Sequence, residues 1–157
     1  MEITLSEAEM NVLRIIANLR GLVARANNIT NQRVSENHTQ DVEFDGLVGE
    51  YAFCKIHNLF LDIVPQPRSG SYDCKFYDQA VDIKATRYKN GVLLGHSKRN
   101  PDVDVYVLCI IDGFNVRFPG YALADELYVE ANLTTLGKYD TPVYALDQSK
   151  LRKWKNQ

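Results

Sequence analysis

The stretch Val103-Asp104-Val105-Tyr106-Val107-Leu108-Cys109-Ile110-Ile111 is apolar at every position but one. A run this short and this rich in β-branched residues reads as a strand, and a strand with no polar face has to be covered on both sides. That requirement points to a layered α/β domain in which this segment is the central strand. Asp112-Gly113 then predicts a tight turn into a second strand over Phe114 to Phe118. Ser6-Glu7-Ala8-Glu9 supplies a helix cap with an acid at the third helical position, and Leu5 is placed to staple against Met10. Met10, Leu13, Ile16, Ala17 and Leu19 follow at near-helical spacing, so residues 6 to about 26 read as an amphipathic helix.

The rest of the chain divides by the same signals. Residues 27–40 are rich in Asn, Thr, Ser and Gln and read as a connector. A second helix is expected from about Asp45, as its cap, to Phe60, with Gly46 and Gly49 letting another backbone come close. Leu61 to Val64 reads as a first strand stopped by Pro65 and Pro67, and 66–71 as a loop. Strands follow at 71–77 and 79–86, joined by a short turn at Tyr77-Asp78-Gln79. Residues 87–102, with Asn90-Gly91, Gly95 and Pro101, read as a basic loop. A helix from Ala124 to about Leu133, a short strand from Pro142 to Leu146, and a last turn capped by Asp147 and carrying Leu151 and Trp154 complete the chain.

With 157 residues, 45% hydrophobic and 24% charged, the sequence suits one domain over 1–157, with its core at about 45–146 and a basic tail at 147–157. No basic, then apolar N-terminal block marks a signal peptide, and no run nears the ~20 apolar residues that span a bilayer. A soluble, cytoplasmic protein with no membrane partner is expected. Cys54, Cys74 and Cys109 form no Cys-x-x-Cys pair, so buried free thiols are expected rather than a zinc site or disulfides.

The chemistry concentrates at Tyr72-Asp73-Cys74-Lys75-Phe76-Tyr77-Asp78-Gln79-Ala80-Val81-Asp82-Ile83-Lys84. Side chains alternate along a strand, so Asp82 and Lys84 share one face with Ile83 behind them. Antiparallel pairing across the turn would carry the Asp73 carboxylate to Asp82. Two carboxylates beside a lysine suit a hard divalent cation and a phosphate. Upstream, Glu50 shares a helical stripe with Leu47, Phe53, Cys54 and His57, and a carboxylate on so apolar a stripe calls for a cation or a donor.

Asp73, the Asp82-Ile83-Lys84 triplet and the helical acid Glu50 together resemble the PD-(D/E)XK nuclease superfamily, over roughly residues 45–111. Tyr72 stands where the family name has proline, and the triplet begins with aspartate; neither change removes a carboxylate. The resemblance implies a restriction-endonuclease-like mixed β-sheet flanked by helices, an α-β-β-β-α-β core with an added N-terminal helix. It implies catalytic roles for Glu50, Asp73, Asp82 and Lys84, and a Mg2+ or Mn2+ site made by Asp73, Asp82, Glu50 and the Ile83 carbonyl. It implies a metal-dependent nuclease acting on DNA, with a compact size similar to stand-alone phage nucleases. One feature departs from the family layout: the 87–102 segment shows no helical periodicity where a crossover helix is common, so either the crossover is irregular or the sheet order differs.

Net charge is -2, yet Lys84, Arg87, Lys89, Lys98 and Arg99 fall between 84 and 100 with no acid among them, and Lys150, Arg152, Lys153 and Lys155 fall in the last ten residues. Arg87, Lys89, His96, Lys98 and Arg99 are the expected phosphate contacts. Cutting both strands of a duplex needs two active sites, which a homodimer would supply. The competing readings are a non-catalytic nucleic-acid or protein-binding module on the same fold and, more weakly, a glycosidase using Glu50 and an aspartate. No nucleophile triad, P-loop or dinucleotide fingerprint is present.

Overall fold

The computed structural model describes residues 1–27, 39–64, 72–136 and 141–154. Of the connector expected over 27–40, residues 28–38 lie outside the described residues, as do the loop at 66–71 and Lys155, while Thr39 and Gln40 belong to a helix. Elements run β1 (Glu2–Thr4), α1 (Glu7–Ala26), α2 (Thr39–His57), β2 (Cys74–Phe76), β3 (Gln79–Thr86), β4 (Leu93–His96), β5 (Val105–Asp112), β6 (Asn115–Leu123), α3 (Ala124–Leu127), a 3-10 turn (Glu130–Asn132), β7 (Leu133–Leu136), β8 (Thr141–Leu146) and a 3-10 turn (Gln148–Lys150).

The chain is mixed α/β, with a five-stranded sheet ordered β1-β6-β5-β3-β2 and a second sheet ordered β4-β8-β7. β5 is central, parallel to β3 on one side and antiparallel to β6 on the other. Its first seven residues are buried, as an all-apolar strand requires. Alternation divides them between two cores. Val105, Val107, Cys109 and Ile111 join Leu13, Ala17, Phe44, Leu47, Val48 and Phe53 of the helices, while Tyr106, Leu108 and Ile110 join Leu93, Leu127, Leu146 and Leu151 on the opposite face.

α1 begins at a full capping box, with Glu9 accepting from the Ser6 backbone and the Ser6 side chain accepting from the Glu9 N–H. Glu9 also ties α1 to α2, accepting from Lys55 at 2.5 Å and from the Tyr51 hydroxyl. Those donors hold its carboxyl down to about 2. Gly49 earns its place, since a Cβ there would lie 3.2 Å from both Cys109 Sγ and Ile83 Cγ2, whereas Gly46 faces open space.

Several expectations are corrected. α2 starts at Thr39, so Asp45 is no cap; it lies inside the helix and accepts two bonds from Arg87, at 2.6 and 2.8 Å. Leu61 to Val64 forms no strand: Ile63 and Val64 are exposed, and the Val64 N–H donates to Asp62 Oδ1 at 2.9 Å, a local side-chain turn that competes with extended pairing. The basic loop contains β4, whose Leu93 and Gly95 are buried against β8 and Tyr128. The 124–133 helix stops at Leu127, after which Asn132 donates to the Glu126 and Leu127 carbonyls and turns the chain. The tail is partly structured: Arg152 bridges to Tyr121, and Trp154 donates to the Phe118 carbonyl at 3.0 Å.

Candidate functional site

The β2–β3 hairpin builds the site. Tyr77 and Asp78 both take positive φ, 48° and 62°, the left-handed pair that a two-residue hairpin turn of right-handed strands demands. This fixes a register of Phe76 opposite Gln79, Lys75 opposite Ala80 and Cys74 opposite Val81, where the strand pairing ends. There the ladder ends in a side-chain bond, with the Ile83 N–H donating to Asp73 Oδ2 at 2.6 Å, while the Asp73 N–H donates to the Val81 carbonyl at 2.8 Å. Val81 and Ile83 face the helices, so Asp82 and Lys84 face the other way, and Lys84 Nζ lies 2.8 Å from Asp82 Oδ2. Asp104 anchors the start of β3 by accepting from the Ala80 N–H at 2.8 Å.

Asp82 and Lys84 are therefore joined on one face, and Asp73 sits past the end of the ladder, near enough for both to act on its carboxyl. Burial first, and then the charges of Glu50 and Asp82, push the Asp73 carboxyl well above the usual carboxylate range; the Ile83 N–H and Lys84 oppose the shift. Glu50 thus lies within electrostatic reach of Asp73, but it comes from the helical layer and is held there. Its carboxylate accepts from Arg20 Nη1 at 3.0 Å, and the other Arg20 nitrogen donates to the Asp62 carbonyl. This answers the demand that a carboxylate on the buried stripe of Leu47, Phe53 and Cys54 made for a cation. Arg20 is the functional candidate that sequence reading missed, and nothing in its own helix marks it, because its partner lies 30 residues away.

Three carboxylates and a main-chain carbonyl at Ile83 are hard oxygen donors of the kind magnesium takes. Each carboxylate already has a protein partner: Asp73 the Ile83 N–H, Asp82 Lys84, and Glu50 Arg20. Among the described residues no group of three or more Asp, Glu, His or Cys side chains stands close enough to hold a metal ion together. The donors fit a divalent cation in kind, and gathering them around one requires Lys84 and Arg20 to give way and Glu50 to reach from the helix side of the sheet toward the face that carries Asp82.

Beside the acids sit the thiols Cys54 and Cys74, with Cys54 Sγ donating to the Phe60 carbonyl at 3.8 Å; the neighbouring Cys54 thiol, burial and the nearby carboxylates push Cys74 up. All three cysteines are free and buried, as expected. His57 stacks on Phe53 and Phe76, with centroids at 4.5 and 4.2 Å, and burial lowers its pKa.

Of the expected phosphate contacts, Arg87, Lys89, His96, Lys98 and Arg99 are all exposed. Arg87 is paired with Asp45 and Arg99 with Asp125, which lessens the charge they offer to a phosphate. No described helix is long and apolar enough to cross a membrane. Comparison with protein-family models, with curated proteins and with solved structures finds no match to this chain.

Proposed function

We propose that the chain is a metal-dependent nuclease that hydrolyses phosphodiester bonds of DNA, on a restriction-endonuclease-like version of its mixed α/β layout. The observation that carries this reading is the Lys84–Asp82 ion pair on one face of β3, with the buried Asp73 carboxyl close enough to feel both charges. Asp73, Asp82, Glu50 and the Ile83 carbonyl would hold Mg2+ or Mn2+, and such an ion supplies an acidified water and a counter-charge for the phosphate. The chain's own groups do the rest. Lys84, released from Asp82, donates to a phosphate oxygen or holds the attacking water in line. The β3 face it shares with Asp82 keeps the ammonium beside the site, and the buried Asp73 fixes the end of β3 through the Ile83 N–H. Arg20 holds Glu50 from α1, and Glu50 would part from it on joining the ion.

The test is incubation of the full chain with supercoiled, linear, single-stranded and branched DNA in magnesium or manganese. Asp82→Asn and Lys84→Ala are each expected to slow cleavage by about a hundredfold or more with unchanged circular dichroism. Cleavage that persists undiminished in both variants overturns the proposal.

The protein partners already held by all three carboxylates favour a second reading, a non-catalytic nucleic-acid-binding module. Under it, DNA is retarded in a gel but stays intact in every divalent ion tested.

A further inference from the structure

The outer face of α1 carries Val12, Ile15, Leu19 and Leu22, and these are 55%, 60%, 46% and 57% exposed. The inner face of the same helix buries Leu13, Ala17 and Gly21, so the outer residues are a second apolar stripe rather than the edge of the first. Their spacing is three, four, three, and exposed Ala8 and Ala26 extend it by four at each end. Alternating steps of three and four are the a/d seam of a coiled coil, here over a helix of 20 residues. An apolar seam in water along three heptads calls for a partner helix.

The pattern says which partner. Reversed and laid on itself, the stripe matches residue for residue: Ala8 meets Ala26, Val12 meets Leu22, and Ile15 meets Leu19, small against small at the ends and large against large in the middle. A helix that complements its own reverse is built for a two-fold axis, which must pair identical patches. Charge agrees, because exposed Glu7 in the first turn comes beside the last turn, which carries Arg25. Opposite helix dipoles then lie side by side, whereas a parallel pair would set Arg25 against Arg25 and Glu7 against Glu7. Arg14 does not intrude, since its guanidinium lies 4.1 Å over the Phe44 ring.

We propose that α1 is the interface of an antiparallel, two-fold homodimer of this chain, packed through Val12, Ile15, Leu19 and Leu22 about an axis near residues 16–18. The same helix carries Arg20, so the dimer would set the group that holds Glu50 on an element shared by both copies.

Sedimentation velocity of the full chain at tens of micromolar is expected to give a dimer. Ile15→Glu and Leu19→Glu, both at exposed positions, are expected to weaken association by at least about a hundredfold, by burying an unpaired charge, while circular dichroism holds and the thermal midpoint loses its dependence on protein concentration. The axis also places Asn18 opposite its own copy, so Asn18→Cys is expected to form a disulfide-linked dimer under mild oxidation and Leu22→Cys is not. A monomer throughout that concentration range, or a dimer that survives Ile15→Glu, overturns the proposal. Self-linking through Leu22→Cys in place of Asn18→Cys overturns the antiparallel arrangement.

Discussion

Asp73 is the residue where fold and function are in tension. Its folded-state carboxyl titrates above the unfolded range, so the native chain retains a proton that the unfolded chain has released. Its contribution is therefore least unfavourable below the unfolded carboxylate range, worsens as pH rises from there to the raised folded value, and costs the same at every higher pH. Asp73→Asn keeps an oxygen to accept from the Ile83 N–H and removes the buried charge. Denaturant unfolding at neutral pH is expected to show a gain of about 1–3 kcal/mol, with a flatter dependence of stability on pH between acid and neutral conditions. A loss of stability at neutral pH would contradict the electrostatic account. Opposite movement of stability and turnover in this variant is the behaviour of a site kept at a cost to the fold.

Two glycines on α2 look alike in sequence and differ in place. Gly46 meets nothing within 4 Å, whereas a Cβ on Gly49 would press on Cys109 and Ile83. Gly46→Ala should stabilise by about 0.5–1 kcal/mol through helix propensity, and Gly49→Val should destabilise by about 1–3 kcal/mol by prising α2 from β3 and β5; thermal melts of the two variants check this. The same contrast explains what was legible beforehand. β5 announced itself because burial on both faces leaves no room for polar residues, and the β2–β3 hairpin did so because its turn and alternation are local. β4 was hidden, since Leu93 and Gly95 pair with β8 about fifty residues away inside a stretch whose Asn, Gly and Lys residues read as loop. Leu61 to Val64 failed in the other direction, having strand-like residues whose chain is turned locally by the Asp62 side chain. At the site, Asp82 and Lys84 could be placed from alternation alone, but Arg20 could not, because only the packing of α1 on α2 brings it to Glu50.

Across the molecule, the two cores lie on opposite faces of one sheet, and the C-terminal segment is what fastens both. Leu151 is buried in the core over the second sheet, while Trp154, three residues on, packs against the helix-side core beside Phe53 and Tyr121, at 5.9 and 4.7 Å. Between them, Arg152 exchanges backbone hydrogen bonds with Tyr121 and clasps Glu126 through Nε and Nη2, which lowers the Glu126 pKa. This crossing is close because residue 120 is glycine: a Cβ there would lie 2.4 Å from the Arg152 carbonyl oxygen and 2.8 Å from Leu151 Cβ, and neither can swing aside as a long side chain would. Gly120→Val is therefore expected to expel the segment from Leu151 onward and destabilise the chain by about 2–3 kcal/mol. The chain has one tryptophan, so its emission reports the event directly. A red shift of Trp154 fluorescence under native conditions, well below the unfolding transition, is the expected result, because losing the Phe118 carbonyl and the surrounding rings moves the indole into water. An unshifted spectrum with unchanged stability would mean that the two cores hold together without this fastening.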